Sequence, residues 1–148
     1  MMIGEVLIIL LVEDNEDHAE LVKRNFKAQR IANKIIHVSD GEEALNYLFR
    51  RGIYSQDEMY PLPNLILLDL RLPKIDGLTV LKEIKSSEQL RVIPTVILTS
   101  SDSEKDIKTA YRNHVNSFLV KPIDFGKFSN LMEELGMYWL GWNTNPYK

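Results

Sequence analysis

Apolar and polar positions alternate along this chain in a regular order. Five short runs are apolar, and each is followed by a longer segment whose apolar residues recur every three or four positions. The runs are Val6 to Val12, Lys34 to Val38, Leu65 to Leu68, Thr95 to Leu98 and Ser117 to Val120. Short apolar runs between turn-forming residues predict buried strands, and the longer period predicts amphipathic helices. Five strands alternating with five helices predict an α/β domain with a doubly wound parallel sheet.

Capping residues precede most of the predicted helices. Asn15 to Asp17 precede the first helix and Asp124 the fifth, while Asp40-Gly-Glu-Glu43 and Ser101-x-x-Glu104 form capping boxes before the second and fourth. The third helix is predicted over Leu78 to Lys85. The side chains predicted to face the core are Ala19, Val22, Phe26, Ala44, Leu45, Leu48, Phe49, Leu78, Leu81, Ile84, Ile107, Ala110, Tyr111, Phe125, Phe128, Leu131, Met132 and Leu135.

Polar residues follow the predicted strands where each strand ends. Right-handed crossovers restrict the sheet to a few topologies, and the flavodoxin-like order 2-1-3-4-5 is the commonest for five such units. In that order the first and third strands are neighbours. Glu13, Asp14 and Asp69 are therefore predicted to share one crevice, with Thr99 and Lys121 on the adjoining strand ends.

Three carboxylates in one crevice repel each other unless a cation lies among them. Mg²⁺ is a suitable cation for such a crevice because it takes oxygen ligands and keeps several waters, one of which a phosphoryl oxygen can replace. The Lys121 ammonium and the Thr99 hydroxyl could then neutralise a phosphoryl group in transfer, with Asp69 as nucleophile. Taken singly, Glu13 and Asp14 could cap a helix, Thr99 could be a turn residue, and Lys121 a solvated side chain. Their joint placement favours a site.

Composition narrows the class of protein. The chain has 148 residues, which suggests one domain over residues 1–148, and a net charge of −3, which gives no electrostatic footprint for nucleic acid. It has no cysteine, so disulfides and Cys-ligated metals are excluded. Its longest apolar run is far shorter than the roughly 20 residues of a membrane span, and no basic segment precedes it. We expect a cytoplasmic protein with no membrane partner.

Four motifs carry a resemblance to a known family. They are Val12-Glu-Asp-Asn15, Leu67-Leu-Asp-Leu-Arg-Leu-Pro-Lys-Ile-Asp-Gly77, Leu98-Thr-Ser100 and Val120-Lys-Pro122. In this order and at these separations, the sequence resembles the CheY-like receiver domain of two-component response regulators. The resemblance extends from about residue 6 to residue 135, and it leaves residues 136–148 as an aromatic C-terminal tail.

The resemblance implies a role for each residue of the crevice. Asp69 would accept a phosphoryl group from a sensor histidine kinase. Glu13 and Asp14 would hold Mg²⁺ together with Asp69, and the backbone carbonyl of Arg71 would complete the protein ligands. Thr99 would be the switch hydroxyl. Lys121 would pair with the phosphoryl group, and its bond to Pro122 is expected to be cis.

Two positions depart from the commonest pattern of the family. Phe118 occupies the aromatic switch position, where tyrosine is frequent, and it could equally be a core phenylalanine. His114 stands where small residues are frequent, so that corner is expected to be shaped differently, with His114 in a structural role.

A narrower resemblance concerns four segments, namely the long loop Arg51 to Pro63, Tyr111 to Asn116, Lys121 to Asp124 and the tail residues Tyr138 to Trp142. These look like the segments of stand-alone regulators that partner phytochrome-type histidine kinases and form homodimers without a DNA-binding output domain. The large apolar side chains of the tail suggest an interface, although packing of the tail onto its own domain is the alternative.

Other functions fit the residues less well. A flavodoxin-type FMN site needs a phosphate loop where Glu13 and Asp14 would repel phosphate, and the GxxxxGK[ST] motif of P-loop NTPases is absent. A phosphatase with an aspartyl nucleophile usually carries a second carboxylate two residues on, where this chain has Arg71. A receiver-like scaffold that acts without phosphorylation remains an alternative. The prediction is therefore a phosphoacceptor signalling protein rather than an enzyme acting on other substrates.

Overall fold

The computed structural model describes residues 6–28, 32–56, 58–122 and 124–135, with the Phe125 side chain left aside. Its five strands form one parallel sheet in the order β2-β1-β3-β4-β5, which confirms the predicted fold. The elements are β1 (Leu7–Val12), α1 (Glu16–Ala28), β2 (Asn33–Val38), α2 (Gly41–Leu48), a short 3₁₀ helix (Gly52–Ser55), β3 (Leu65–Leu68), α3 (Gly77–Ser86), β4 (Thr95–Thr99), α4 (Glu104–Arg112), β5 (Ser117–Val120) and α5 (Phe125–Glu134). The predicted tail, residues 136–148, lies outside the described residues.

The strand register aligns the carboxyl ends of the strands along one edge of the sheet. Val12, the last residue of β1, pairs with Val38 of β2 and with Leu68 of β3. Leu68 pairs in turn with Ile97 of β4, and Thr99 pairs with Val120 at the end of β5. The residues that follow these strands therefore meet at the same edge, as a parallel sheet requires.

The two faces of the sheet bury two separate apolar cores. Along β1, Leu7, Ile9 and Leu11 point to the core beneath α1 and α5, whereas Leu10 and Val12 point to the core beneath α2, α3 and α4. This is the period of two that a strand imposes on its side chains. Because both faces are covered, β1 and β3 can be apolar without interruption, as the sequence predicted.

Helix α1 shows why the amphipathic prediction succeeds on the α1 and α5 face. Ala19, Val22 and Phe26 are buried, and Leu21 beside them is 44% exposed. The rings of Phe26 and Phe128 from α5 meet edge to face, with centroids 4.6 Å apart. Such a contact contributes roughly 0.5–1.5 kcal/mol beyond the burial of the two rings.

Helix α4 departs from the prediction in two respects. Its N-cap is Ser103, whose side chain accepts from the Asp106 amide, so the predicted capping box beginning at Ser101 was wrong. Tyr111 was predicted to face inward, but it is 50% exposed, and Ala110 is the one residue of α4 that is buried. The physical reason is position: α4 packs against the edge strand β5 and against α3, which leaves only a narrow buried stripe.

The inward face of α3 was also predicted imperfectly. Val80, Leu81 and Ile84 are buried, whereas Leu78 is only half-buried against the same core. The helix begins at Gly77, capped by the side chain of Asp76, which accepts from the Thr79 amide at 3.0 Å. Leu81 and Ile84 are therefore confirmed as core residues, and Val80 is buried more completely than the predicted Leu78.

Three tyrosines attach the long α2–β3 connection to the rest of the molecule. Tyr47 of α2 is fully buried, and its ring lies 5.1 Å from that of Tyr54 and 6.1 Å from that of Tyr60. The Tyr47 hydroxyl donates to the Pro61 carbonyl, and the Tyr54 hydroxyl donates to Glu43. Burial raises the pKa of both phenols to about 12. This long connection is therefore ordered by aromatic packing that the sequence pattern did not indicate.

Candidate acidic metal and phosphoryl site

Three carboxylates converge at the carboxyl edge of the sheet. Glu13 and Asp14 follow β1, Asp69 follows β3, and one oxygen from each lies within 4.8 Å of the others. Glu13 is 2% exposed and Asp69 is 7% exposed, whereas Asp14 is open to solvent. The cluster is therefore accessible from the side on which Asp14 lies.

Backbone hydrogen bonds hold the two buried carboxylates in register. The Glu13 amide donates to the Val38 carbonyl at 3.0 Å, and the Asp69 amide donates to the Val12 carbonyl at 3.1 Å. Each bond extends a strand ladder by one residue beyond the strand itself. His37 adds a further contact, since its Nε2 lies 2.7 Å from the Glu13 carbonyl oxygen.

Lys121 brings the positive charge predicted for this edge. Its ammonium donates to Glu13, to Asp69 Oδ2 at 3.2 Å and, at 3.0 Å, approaches His18 Nδ1. Its backbone amide donates to the Thr99 carbonyl at 2.8 Å, which extends the β4–β5 pairing, and its peptide bond to Pro122 is cis. One ammonium thus lies against two buried carboxylates.

Glu13 remains difficult to ionise in spite of that ammonium. Burial raises the pKa of its carboxyl group above the ordinary value of 4.5, and the neighbouring Asp69 raises it further, while the hydrogen bond from Lys121 lowers it. When all three carboxylates are ionised, the single Lys121 ammonium offsets only part of their negative charge. Additional positive charge from a hard divalent cation fits this set of oxygen ligands, as it does in Mg²⁺ and Mn²⁺ sites.

Thr99 is the last residue of β4, and Phe118 lies on the neighbouring strand β5, where it pairs with Ile97. Thr99 is fully buried, and its Oγ1 accepts from the Ser101 amide at 3.3 Å, so its hydroxyl proton is available to a further acceptor. Phe118 is half-buried on β5 and packs against the core beneath α2, α3 and α4. His114 is exposed and has a positive φ of 66°, a left-handed conformation that glycine adopts freely and in which histidine is more frequent than most other side chains.

Arg71 lies two residues beyond Asp69. Its backbone amide donates to Asp69 Oδ1 at 3.3 Å. Its guanidinium, 73% exposed, pairs at 3.1 Å with Asp106 of α4. The predicted contribution of the Arg71 carbonyl to a metal site stays a prediction, while the side chain links the cluster to another element.

Gly77 explains how the loop after Asp69 fits so close to the cluster. A Cβ atom at Gly77 would lie 2.1 Å from the Asp69 carbonyl oxygen and 2.6 Å from the Leu70 Cα. The Gly77 amide donates to the Leu70 carbonyl at 2.9 Å. Any side chain at this position would displace the backbone that carries Asp69.

Sequence reasoning missed three residues at this site. His18 contacts Lys121, His37 contacts Glu13, and Asp106 contacts Arg71. The position of His18, one helical turn beyond Asp14 on a predicted helix, could have indicated a place at the site. No local pattern marks His37 or Asp106. His37 lies 24 residues from Glu13 in sequence, and Asp106 lies 35 residues from Arg71.

A family model and several known proteins match most of this chain. A family model described as the response regulator receiver domain matches residues 9–133. The chain is 49% identical over 139 residues to the probable methanogenesis regulatory protein FilR2 of Methanothrix harundinacea, covering 94% of this chain and 87% of that protein. It is 40% identical over 139 residues to the response regulator Rcp1 of Synechocystis sp., covering 94% and 92% of the two chains.

Solved structures agree with the sequence comparisons. The Mn²⁺-bound form of Rcp1 superposes with a TM-score of 0.77 at 40% identity, covering 95% of this chain and 99% of that chain. The bacteriophytochrome response regulator RtBRR superposes with a TM-score of 0.82 at 42% identity, covering 95% and 84% of the two chains. Both pairs share the five-stranded parallel architecture described above. Among the described residues, no helix has the length and apolar character needed to cross a bilayer.

Proposed function

This chain belongs to the response regulator receiver domain family, and on that premise we propose that it is switched by phosphorylation of Asp69. The phosphoryl donor is a sensor histidine kinase, and Mg²⁺ is the cofactor. The signal is a change of the molecular surface that a partner reads. The protein acts as a phosphoacceptor and does not turn over a separate substrate.

The observation that carries this proposal is the convergence of three carboxylates and one ammonium at a single strand edge. Asp69 follows β3, the strand that lies between β1 and β4 in the sheet. Lys121 reaches Asp69 at 3.2 Å, and the Arg71 amide reaches it from the other side. The acceptor is thus oriented before any phosphoryl group arrives.

The residues present fit the metal. Glu13, Asp14 and Asp69 offer carboxylate oxygens. We propose that the backbone carbonyl of Arg71 supplies a further oxygen, which would complete a set typical of Mg²⁺ sites that also retain water. When bound, the ion supplies positive charge that offsets the repulsion between the carboxylates and the incoming phosphoryl oxygens.

The chain's own residues then provide the nucleophile and its support. A carboxylate oxygen of Asp69 bonds to phosphorus as the P–N bond to the kinase histidine breaks, and the imidazole nitrogen leaves with the electron pair. The Lys121 ammonium exchanges its contact with Asp69 for one with the phosphoryl oxygens. The Thr99 hydroxyl donates to another of those oxygens. Positioning and charge account for most of the catalysis in such transfers.

The relatives of this chain indicate which binding partners to propose for it. Rcp1 is named a response regulator and RtBRR a bacteriophytochrome response regulator, so we propose a histidine kinase of the phytochrome type as the donor for this chain. We further propose that the protein works in the cytoplasm as a homodimer, with neither nucleic acid nor a membrane as its direct partner.

Intact-protein mass after incubation with acetyl phosphate tests the proposal most directly. We expect a gain of one phosphoryl group that requires Mg²⁺ and is absent in Asp69→Asn. Asp17→Asn is the matched control, because it makes the same substitution at an exposed carboxylate of the first turn of α1. The control should be phosphorylated like the wild-type protein.

Two outcomes contradict the proposal. A mass gain that survives Asp69→Asn would mean that another residue is the acceptor. No gain with either acetyl phosphate or a phosphorylated histidine kinase would favour the alternative of a receiver-like scaffold that acts without phosphorylation.

A further inference from the structure

One carboxylate on α4 connects the two loops that flank the phosphoryl site. Asp106 Oδ2 accepts from the Arg71 guanidinium at 3.1 Å and from the Ser101 hydroxyl at 2.7 Å. Arg71 belongs to the loop after β3 and Ser101 to the loop after β4. We call these three residues the Asp106 link.

Both ends of the Asp106 link touch the site itself. The Arg71 amide donates to Asp69 Oδ1, and the Ser101 amide donates to Thr99 Oγ1, each at 3.3 Å. A continuous chain of contacts therefore runs from the acceptor through Asp106 to the switch hydroxyl. The side chain of Asp106 is 16% exposed, so it is held against the protein and is not simply solvated.

Asp106 lies in the first turn of α4, so the Asp106 link attaches that turn to the loops around Asp69. Asp106 is the third residue of α4, and its amide is bound by the N-cap Ser103. In a capping box, a side chain at that position reaches back to the N-cap amide. Here the carboxylate is directed to Arg71 and Ser101 instead. The first turn of α4 is thereby attached to the loops around Asp69.

We propose that Asp106 is a positioning residue that holds Arg71 against α4 until Asp69 is phosphorylated. On phosphorylation, Arg71 leaves Asp106 for the phosphoryl group, and the first turn of α4 is released. This inference rests on the proposed function and adds the means by which the site would act on α4.

Charge favours that exchange of partners. Phosphorylation replaces a singly charged carboxylate with a group of about −1.5 to −2 charge and three strong acceptor oxygens. Lys121 already donates to Glu13, which stays in place beside the new group. The Arg71 guanidinium is 73% exposed, starts two residues from Asp69, and can bind two phosphoryl oxygens at once. In the structure the Arg71 guanidinium pairs with one carboxylate oxygen, Asp106 Oδ2. Such a single contact is weaker than a bidentate contact with two phosphoryl oxygens.

Hydrogen exchange of the α4 amides, in the segment from residue 101 to residue 112, tests the link in the full chain. In the wild-type protein we expect phosphorylation by acetyl phosphate with Mg²⁺ to speed exchange about two- to fivefold, the factor that one partly exposed ion pair is worth. In Asp106→Ala and in Arg71→Gln, exchange should be this fast before phosphorylation and should not change afterwards. Arg71→Lys keeps the charge and should retain part of the response.

Glu104→Gln is the control. Glu104 lies in the same turn of α4 but pairs with Lys108 and not with the loops, so its removal should leave the wild-type response. Asp106→Asn provides a second variant if Asp106→Ala does not fold, because it keeps an acceptor for Ser101 and removes the charge. Intact mass reports how much of each sample is phosphorylated, so that samples are compared at equal occupancy.

The outcomes separate the two proposals. If the wild-type protein is never phosphorylated, the proposed function fails and the link fails with it. If the wild-type protein is phosphorylated but its α4 exchange stays constant, or if Arg71→Gln and the Asp106 variants respond as the wild-type protein does, the link alone is overturned. A variant that loses phosphorylation altogether would place its residue in the transfer step and would overturn the positioning role.

Discussion

Single residues decide how the acidic site balances its charge. Glu13 and Asp69 are buried, and the Lys121 ammonium contacts both of them. Burial makes the ionised form of Glu13 costly, because the carboxylate loses water that one shared ammonium replaces only in part. Two buried carboxylates therefore share the positive charge of one ammonium.

The raised pKa of Glu13 predicts how the metal-free protein responds to pH. Below the ordinary pKa of 4.5, Glu13 is protonated in both the folded and the unfolded chain, and its favourable contribution to folding is fully present. As pH rises through the higher folded-state pKa, the folded chain must release a proton that it holds more tightly than the unfolded chain. The contribution of Glu13 to stability is therefore lost as pH rises above that range.

Urea unfolding in EDTA between pH 5 and pH 8 measures this effect. We expect the free energy of unfolding of Glu13→Gln to fall less with rising pH than that of the wild-type protein. Glu20→Gln is the control, since Glu20 is an exposed residue of α1 in an i,i+4 pair with Arg24. Identical pH slopes for the wild-type protein and Glu13→Gln would contradict the assignment of the slope to Glu13.

At the scale of the elements, close contact between a loop and a strand end fixes the acceptor. The loop between β3 and α3 turns back so tightly that Gly77 lies against the Asp69 carbonyl. The same loop touches α2, where the Gly41 amide donates to the Pro73 carbonyl and Lys74 pairs with Asp40. The orientation of Asp69 therefore depends on the packing of α2 and α3 as well as on its own strand.

Substitution of Gly77 tests this dependence. Gly77→Ala places a methyl group 2.1 Å from the Asp69 carbonyl oxygen, so the backbone must shift, at a cost of about 1–3 kcal/mol in the free energy of unfolding. Phosphorylation of Asp69 should slow in parallel. Both effects are measured by urea unfolding and by the rate of mass gain with acetyl phosphate.

Gly126→Ala is the matched control for this prediction. Gly126 lies in α5, and an added Cβ there would meet only the Asp124 side chain, at an ordinary 3.4 Å. Removing a helical glycine should stabilise the protein by roughly 0.5–1 kcal/mol and leave phosphorylation unchanged. If Gly77→Ala behaved like Gly126→Ala, the close approach at Gly77 would not position Asp69.

At the scale of the whole molecule, the two cores serve different parts of the site. Leu119 of β5, two residues before Lys121, packs against the core beneath α1 and α5, whereas Leu70 and Leu72, on either side of Arg71, pack against the core beneath α2, α3 and α4. The sheet separates the two cores, so the neighbours of Arg71 share a core with α4 and not with α1.

The proposed homodimer is a prediction about the whole molecule. Light scattering should give twice the chain mass of 17.2 kDa for the full chain. If the aromatic residues of the tail form the interface, a chain ending at Leu135 should be monomeric and should still be phosphorylated. A full chain that is monomeric with and without phosphorylation would contradict the dimer, and a dimer that survives the truncation would place the interface elsewhere.

The sequence by itself determined most of the fold and the principal members of the site. Strands β3 and β5 have the predicted bounds, and β1, β2 and β4 differ from their predictions by one residue. The predicted neighbours Glu13, Asp14 and Asp69 do meet, and Lys121 contacts two of them. These successes have one cause. Period, strand length and capping are properties of short segments, and a parallel sheet then brings every strand end to one edge.

Only the tertiary structure decided the contacts between distant side chains. Tyr47 is buried because Tyr54 and Tyr60 fold back over it, and Tyr111 is exposed because α4 covers only the edge of the sheet. Asp106 meets Arg71 because two loops and one helix approach each other at a distance that no segment encodes alone. The physical reason is that local patterns specify which face of an element is apolar, whereas the positions of neighbouring elements specify which polar side chains meet.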